Sequence, residues 1–244
     1  MSDIDAFERE CRENAARMAA DEELRAAATE LVVRSAPYKY TYNFRWLGLP
    51  VIQFPQDLVA LQEIVWAVKP ELVIETGVAR GGSLVFYASL LQLLGGDRRV
   101  VGIELELRPH NRAALEAHPM FPWISLVDGS SIDPEVVARV AALAAGRGPI
   151  MVVLDANHTH AHVLAELRAY APLVTPGSYL VVLDTLIEAM PDGMFADRPW
   201  GRGDNPWTAV HEFLSTTDRF VVDTELENRL LISVAPRGYL KCVK

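Results

Sequence analysis

The chain has 244 residues, of which 50% are hydrophobic and 23% are charged, a composition typical of a folded soluble protein rather than a disordered one. Its formal net charge of −9 and the absence of a Lys/Arg run argue against a nucleic-acid-binding or anionic-membrane-binding protein. The two cysteines, Cys11 and Cys242, are too few for a disulfide framework or a four-ligand zinc site. The charged N-terminus lacks an apolar signal core, and no apolar run reaches the ~20 residues of a membrane span, so we expect a cytoplasmic protein with no membrane partner.

Residues 1–54 are predicted to form a helical extension followed by an ordered aromatic loop. Five side chains share one apolar face of the first helix: Ile4, Phe7, Cys11, Ala15 and Met18. A second helix is predicted over 21–34, and the segment 36–55 contains more Tyr, Phe and Trp than a flexible linker would. Because these helices should dock onto the core or onto another subunit, we expect a homo-oligomer.

From residue 55 onward, apolar strands alternate with amphipathic helices, the pattern of a parallel sheet covered on both faces. Strands are predicted at 71–75, 99–104, 123–129, 149–155 and 178–184. The segment 219–236 is predicted to form two further strands joined by a turn at Glu227-Asn228, so that one strand runs antiparallel. The sequence therefore predicts one α/β domain over 55–244, a Rossmann-type, doubly wound and mostly parallel sheet.

A carboxylate stands at the end of each of the five parallel strands. In open α/β sheets, ligands bind outside the carboxyl ends of the strands, so these positions mark the expected site. One such acid is uninformative, but five together indicate function. They are Glu75, Glu104, Asp128, Asp155 and Asp184.

The turn after the first of these strands, "VIETGVARGGS" (73–83), is glycine-rich. Gly77, Ala79 and Gly82 fill the register of a dinucleotide fingerprint, and Glu104 lies 22 positions after Gly82, which is a weak indication of NAD. Glu75 argues against it, because a carboxylate is unfavourable beside a pyrophosphate.

The same carboxylate suits the cationic head of S-adenosylmethionine. Gly77, Gly81 and Gly82 would allow close backbone approach to the methionine part of this cofactor. Glu104 would accept hydrogen bonds from the ribose hydroxyls. Asp128 and Ser130, in the segment "VDGSS", lie where the adenine edge should be read.

Asp155 and Asp184 end strands that should be neighbours, and two converging carboxylates need a proton or a cation between them. Mg²⁺ is the expected ion, with Asn157, Thr185 and Glu188 as candidates for further ligands. His158 is placed to take a proton from a substrate hydroxyl beside the metal.

Two further histidines, His160 and His162, follow in "DANHTHAH". Their spacing of two residues does not suit metal binding on a helix, so we interpret them as solvated or packing residues. The long irregular segment 185–206 is predicted to be a lid over the substrate, since loops of this length inside domains are usually functional.

With these residues assembled, the chain resembles the cephalosporin hydroxylase family from about Tyr38 to the C-terminus. The resemblance rests on "ETGVARGGS", "DGSSIDPEVV", "VVLDANHTHAHVLAELRAYAPLVTPGSYLVVLDT" and "SVAPRGYLK". It implies a class I methyltransferase fold with seven strands and an S-adenosylmethionine- and Mg²⁺-dependent O-methyltransferase of natural-product (antibiotic or secondary) metabolism. The implied cofactor positions are Glu75, Gly77, Gly81, Gly82, Ser83, Glu104 and Asp128, and the implied metal ligands are Asp155 and Asp184.

The chain departs from the family at Leu183, because relatives often show "EDT" where this sequence has "LDT". A possible third carboxylate is therefore missing. The expected activity is methylation of a hydroxyl on a sugar, β-lactam or polyketide acceptor, with His158 as base at the offset from Asp155 that catechol-type relatives use. Two alternatives stay open: an NAD(P)-dependent oxidoreductase and a non-catalytic S-adenosylmethionine-binding scaffold protein.

Overall fold

The computed structural model describes residues 2–244. Nine helices lie in this range: α1 Asp3–Ala20, α2 Glu22–Ser35, α3 Pro55–Val68, α4 Gly82–Leu94, α5 Pro109–Glu116, α6 Pro134–Ala144, α7 His160–Tyr170, α8 Pro206–Ser215 and α9 Thr224–Arg229. The strands in the same range are β1 Arg45–Trp46, β2 Leu49–Pro50, β3 Leu72–Thr76, β4 Arg99–Glu104, β5 Ile124–Asp128, β6 Ile150–Leu154, β7 Tyr179–Val182, β8 Phe220–Val222 and β9 Tyr239–Cys242.

Strands β3 to β9 form one twisted sheet in the order β5-β4-β3-β6-β7-β9-β8. All neighbouring pairs are parallel except those of β9, which runs antiparallel to both β7 and β8. The prediction of a mostly parallel seven-stranded sheet with one antiparallel strand is confirmed. Helices α3 and α4 cover one face of this sheet, and α6, α7 and α8 cover the other, which gives two apolar core layers.

The predicted strand boundaries near the C-terminus are wrong. Asp223 accepts a hydrogen bond from the amide of Leu226 at 3.0 Å and caps α9. The predicted turn at Glu227-Asn228 therefore lies within this helix. The last strand begins only at Tyr239. The sequence predicts a strand for the apolar run "LLISV", but in the structure this run forms irregular backbone that packs against the domain.

Both N-terminal helices are capped: Ser2 and Asp5 form a capping box, and Asp21 caps α2. The apolar face of α1 is covered only in part. Helix α1 packs on α9 and buries Ala15, whereas the side chains of Ile4 and Phe7 are 68% and 66% exposed.

The aromatic loop contains a short hairpin, β1–β2, that packs on α4. Trp46 of this hairpin donates to the Ser89 hydroxyl at 3.0 Å and meets Phe86 edge to face. The loop is therefore fixed to the helix that follows the glycine-rich turn. None of the helices between residues 2 and 244 combines the length and apolarity needed to cross a membrane.

Candidate active site

The register of the sheet brings the predicted strand-end residues to one edge. Thr76 pairs with Ile103 on one side and with Leu154 on the other, so Glu75 in β3 lies near Asp155, which directly follows the adjacent strand β6. Glu104 and Asp128 are themselves partners across β4 and β5. The five carboxylates predicted from the sequence therefore share the carboxyl edge of the sheet.

Glu75 lies beneath the glycine-rich turn rather than at its surface. Its side chain is 1% exposed, and the Ser83 hydroxyl donates a hydrogen bond to Oε2 at 2.7 Å. Burial, reinforced by the nearby charge of Glu104 and opposed by the Ser83 hydrogen bond, raises the pKa of Glu75 to about 8. A cation bound above the turn would favour the ionised carboxylate.

Glycine is required in this turn for two different structural reasons. Gly77 has φ +84°, and a methyl group there would lie 2.1 Å from the carbonyl oxygen of Asp155. Gly81, the N-cap of α4, has φ +82°. At Gly82, by contrast, a methyl group would lie 2.1 Å from the carbonyl oxygen of Pro50, so the close contact is with the β1–β2 hairpin.

Glu104 holds the turn in place. Its Oε2 accepts hydrogen bonds from the amides of Val78 and Ala79, both at 2.9 Å, and its Oε1 accepts one from Leu105 at 3.1 Å. A carboxylate has about four acceptor positions. Glu104 can therefore shape the turn and still accept a hydroxyl from a ligand.

Asp128 is the most exposed of the strand-end acids, with 64% of its side chain accessible. It forms a hydrogen-bonded ion pair with Arg112 of α5, which also lies 3.6 Å from Glu116. Ser130 is partly exposed on the following loop, where its carbonyl accepts the amide of Asp133 at 3.0 Å.

Asp155, His158 and Asp184 converge, with one potential ligand atom of each lying within 4.8 Å of the others. The Nε2 atom of His158 lies 3.2 Å from Oδ2 of Asp184, a residue in the left-handed conformation with φ +57°. Burial, then the charges of Asp184 and Glu75, raise the pKa of Asp155 well above its usual range. Two carboxylates and a histidine in this arrangement can hold a divalent cation.

The additional ligand candidates have their oxygens engaged by other groups. Oδ1 of Asn157 accepts from the amide and hydroxyl of Thr159, both at 2.9 Å. The hydroxyl of Thr185 donates to the carbonyl of Pro236 at 2.7 Å, and Oε2 of Glu188 accepts from Gly203 and Asn205. These three residues therefore lie outside the cluster, in which His158 is the neighbour of the two aspartates.

Leu183 packs in the apolar core and is 2% exposed. Its amide continues the ladder by donating to the carbonyl of Leu154 at 3.0 Å. This chain therefore places an aliphatic side chain where the resemblance suggested a carboxylate.

The segment 185–206 is a loop that contacts the Asp155–His158–Asp184 cluster through Trp200. It begins with a 3-10 turn over 185–189, and Glu188 closes it by accepting from Gly203 at 2.9 Å and from the Asn205 amide group at 2.6 Å. The Trp200 ring meets His158 edge to face at 4.8 Å, and Arg198 lies over the Trp200 ring.

Two buried polar groups near the site were missed from the sequence. One is Asp57 of α3, which accepts from Ser233, Val234 and Tyr239. The other is a cluster around Glu166 on α7. Acids inside amphipathic helices resemble surface residues in sequence, and only the packing of α3 and α7 shows that these two are fully covered.

The strand order and the strand-end position of the site define a class I methyltransferase fold. A solved structure described as CmcI with Mg and SAM shares this fold, with 20% identity, a TM-score of 0.59 and coverage of 83% of this chain and 78% of that one.

Residues 38–243 match the sequence model of the family described as Rhamnosyl O-methyltransferase/CmcI. The chain belongs to this family and is an O-methyltransferase. Rhamnosyl O-methyltransferase of Mycobacterium tuberculosis H37Rv is 30% identical over 198 residues, which cover 80% of this chain and 76% of that protein. The Mycobacterium leprae protein of the same name is 31% identical over 147 residues, which cover 60% and 62%.

Proposed function

We propose that the protein transfers the methyl group of S-adenosylmethionine to a hydroxyl of a small-molecule acceptor of sugar type, assisted by Mg²⁺. The observation that carries this proposal is the Asp155–His158–Asp184 cluster, set directly against the glycine-rich turn through Gly77. The rhamnosyl acceptor in the names of the mycobacterial relatives supports a sugar hydroxyl. We extend the proposal to an acceptor from antibiotic or other secondary metabolism.

The cofactor is proposed to lie along the ends of β3, β4 and β5. Glu75, supported by Ser83, supplies negative charge beneath its ammonium group, and Glu104 accepts its ribose hydroxyls. Gly77 and Gly81 let the backbone approach closely, and Gly82 fixes α4 against the hairpin. The adenine is proposed to face Asp128 and Ser130.

Asp155 and Asp184 are proposed to hold Mg²⁺, whose chemistry is to polarise the acceptor hydroxyl and ease its deprotonation. His158 accepts the hydroxyl proton on a ring nitrogen, and the Asp184 carboxylate at 3.2 Å stabilises the imidazolium that forms. Trp200 fixes the orientation of the His158 ring by its edge-to-face contact. The 185–206 loop excludes water, and the acceptor oxygen then attacks the methyl carbon in line with the departing sulfur.

The test is a methyl-transfer assay with S-adenosylmethionine and a panel of simple rhamnosides and other glycosides, followed by mass spectrometry of the acceptor. We expect one class of glycoside to gain one methyl group. We expect no methyl transfer when EDTA is present. Titration with NAD(P) is the matched comparison. A protein that binds NAD(P) but does not bind S-adenosylmethionine would refute the proposal. Asp155→Asn serves as the inactive control.

We also propose that the protein acts as a homo-oligomer in the cytoplasm. The exposed side chains of Ile4 and Phe7 on α1 support the first part, since a second copy could cover them. Light scattering after size-exclusion chromatography tests it, and Phe7→Glu should shift the population towards the monomer.

A further inference from the structure

A cluster of polar side chains lies between α7 and the 129–133 loop, away from the metal residues. The hydroxyl of Ser131 lies 3.0 Å from Nε2 of His162, and the Tyr170 hydroxyl donates to the Ser131 carbonyl at 2.7 Å. Nε2 of His162 also lies 3.5 Å from Oε1 of Glu166. Ser131 is 4% exposed and Glu166 is 0% exposed, so the contacts are shielded from water.

The Glu166 carboxylate determines which atom donates the hydrogen bond between His162 and Ser131. Within the described chain neither of its oxygens accepts a hydrogen bond, and the basic group beside it is His162. A buried carboxylate in this position is costly unless a positive group or a proton faces it. Because Nε2 of His162 lies 3.5 Å from this carboxylate, we assign the tautomer in which Nε2 carries the hydrogen and donates it to the Ser131 hydroxyl.

Tyr170 provides a second point of attachment. Burial, together with the charge of Glu166, raises the pKa of Tyr170 above its ordinary value, so its hydroxyl keeps the proton that it donates to Ser131. The side chain and the backbone of Ser131 are thus held separately, both by residues of α7.

Ser131 directly follows Gly129 and Ser130 on the loop that leaves β5 after Asp128. The loop is fixed on its other side by the amide of Gly129, which donates to the carbonyl of Glu104 at 3.0 Å.

We propose that His162 is a positioning residue. Together with Glu166 and Tyr170, it holds the 129–133 loop in the position in which the loop recognises the adenine of the cofactor. This inference rests on the proposed function and extends it, because it assigns a role in adenine recognition to side chains of α7 that do not touch the cofactor. The ligand concerned is the adenosyl part of S-adenosylmethionine or S-adenosylhomocysteine.

The test compares two ligands that differ only at the base, S-adenosylhomocysteine and S-inosylhomocysteine, by titration calorimetry. The ratio of their dissociation constants reports adenine recognition, and a general loss of stability would weaken both ligands alike. We expect His162→Leu to weaken S-adenosylhomocysteine about tenfold, the effect of one lost buried hydrogen bond. We expect the ratio to fall towards one.

Two variants complete the design. His162→Gln keeps a donor within reach of Ser131 and should restore most of the discrimination. His160→Gln is the matched control, because His160 lies on the same helix but bonds Thr208 and Glu212 of α8, so the ratio should not change.

An unchanged ratio in folded His162→Leu would overturn the inference while leaving the proposed function intact. If that variant fails to fold, Tyr170→Phe decides the matter, because it removes only the hydroxyl that reaches Ser131; the ratio must fall there too. Failure of the wild-type protein to bind S-adenosylhomocysteine at all would instead refute the proposed function, and the inference with it.

Discussion

Gly77 lies directly against Asp155: a methyl group added at Gly77 would be 2.1 Å from the carbonyl oxygen of Asp155 and 2.6 Å from its carbonyl carbon. The amide of Asp155 in turn donates to the carbonyl of Thr76 at 3.0 Å. The turn proposed for the cofactor and the first residue proposed for the metal are therefore in one rigid backbone contact.

We predict that Gly77→Ala loses cofactor and metal binding together. The alanine would clash with backbone atoms and would also occupy a left-handed conformation, so we expect a loss of about 2–4 kcal/mol in the free energy of unfolding. Urea unfolding and calorimetry with S-adenosylhomocysteine and Mn²⁺ measure these effects. Gly95→Ala is the matched control, since Gly95 has φ +71° but nothing within 4 Å, and normal binding by Gly77→Ala would contradict the prediction.

Glu75 should ionise when S-adenosylmethionine binds. With its pKa raised to about 8 by burial, the carboxyl of the free protein is largely protonated at neutral pH, and a cationic ligand favours the charged form. Calorimetry in buffers of different ionisation enthalpy, at saturating Mg²⁺, should therefore show proton release on binding.

Glu75→Gln is the informative replacement, because it keeps an acceptor for Ser83, whereas a lysine in this buried position would cost folding free energy. We expect it to abolish the proton release and to weaken S-adenosylmethionine about tenfold or more. Equal proton release in this variant and the wild-type protein would show that another group ionises.

Variants of Asp184 and His158 should distinguish a metal ligand from a general base. We predict that Asp184→Asn loses both Mn²⁺ binding, measured by electron paramagnetic resonance, and turnover. His158→Gln should keep Mn²⁺ binding but lower kcat by about 10²–10⁴-fold, the usual contribution of a general base. Loss of Mn²⁺ in His158→Gln would reassign the histidine as a metal ligand.

Asp57 should make stability depend on pH. Burial outweighs its three hydrogen bonds and raises its pKa from 3.8 to about 6. Because the folded state holds this proton more tightly than the unfolded state, the stabilisation is complete below pH 3.8 and is lost as the pH rises through about 6. The difference amounts to about 3 kcal/mol, at 1.36 kcal/mol per pKa unit.

Asp57→Asn removes this titration and can still accept the amide of Val234. We expect the stability of the wild-type protein, measured relative to this variant by urea unfolding, to fall between about pH 4 and about pH 7. The comparison cancels the groups that both proteins share, and a difference that stays constant with pH would contradict the prediction.

The strand-end acids could be predicted from sequence because a parallel sheet brings equivalent positions to one edge whatever the side chains do. Glu75, Glu104 and Asp155 needed only the pattern of apolar runs to be placed. The turn at Glu227-Asn228 could not be predicted correctly, since Asp223 caps a helix there and α3 binds the following backbone through Asp57. The Asp223 cap is a local contact, but the contact with Asp57 joins distant segments, which local propensity does not contain.

The ligand candidates Asn157, Thr185 and Glu188 illustrate the same limit. Their position in sequence is next to the metal residues, but their oxygens accept or donate elsewhere. His162 is predicted to be a solvated or packing residue, and only the fold shows that its Nε2 atom lies 3.0 Å from the Ser131 hydroxyl and 3.5 Å from Glu166.

The missing side chain at Gly82 has a practical meaning for protein engineering. The Pro50 carbonyl occupies the space that any larger residue at Gly82 would need. The shape of the hairpin is therefore complementary to the start of α4. A chimera that exchanges the first 54 residues with those of a relative must therefore carry a hairpin of the same shape. Otherwise the mismatch would be transmitted to the start of α4 and to the turn beside Glu75.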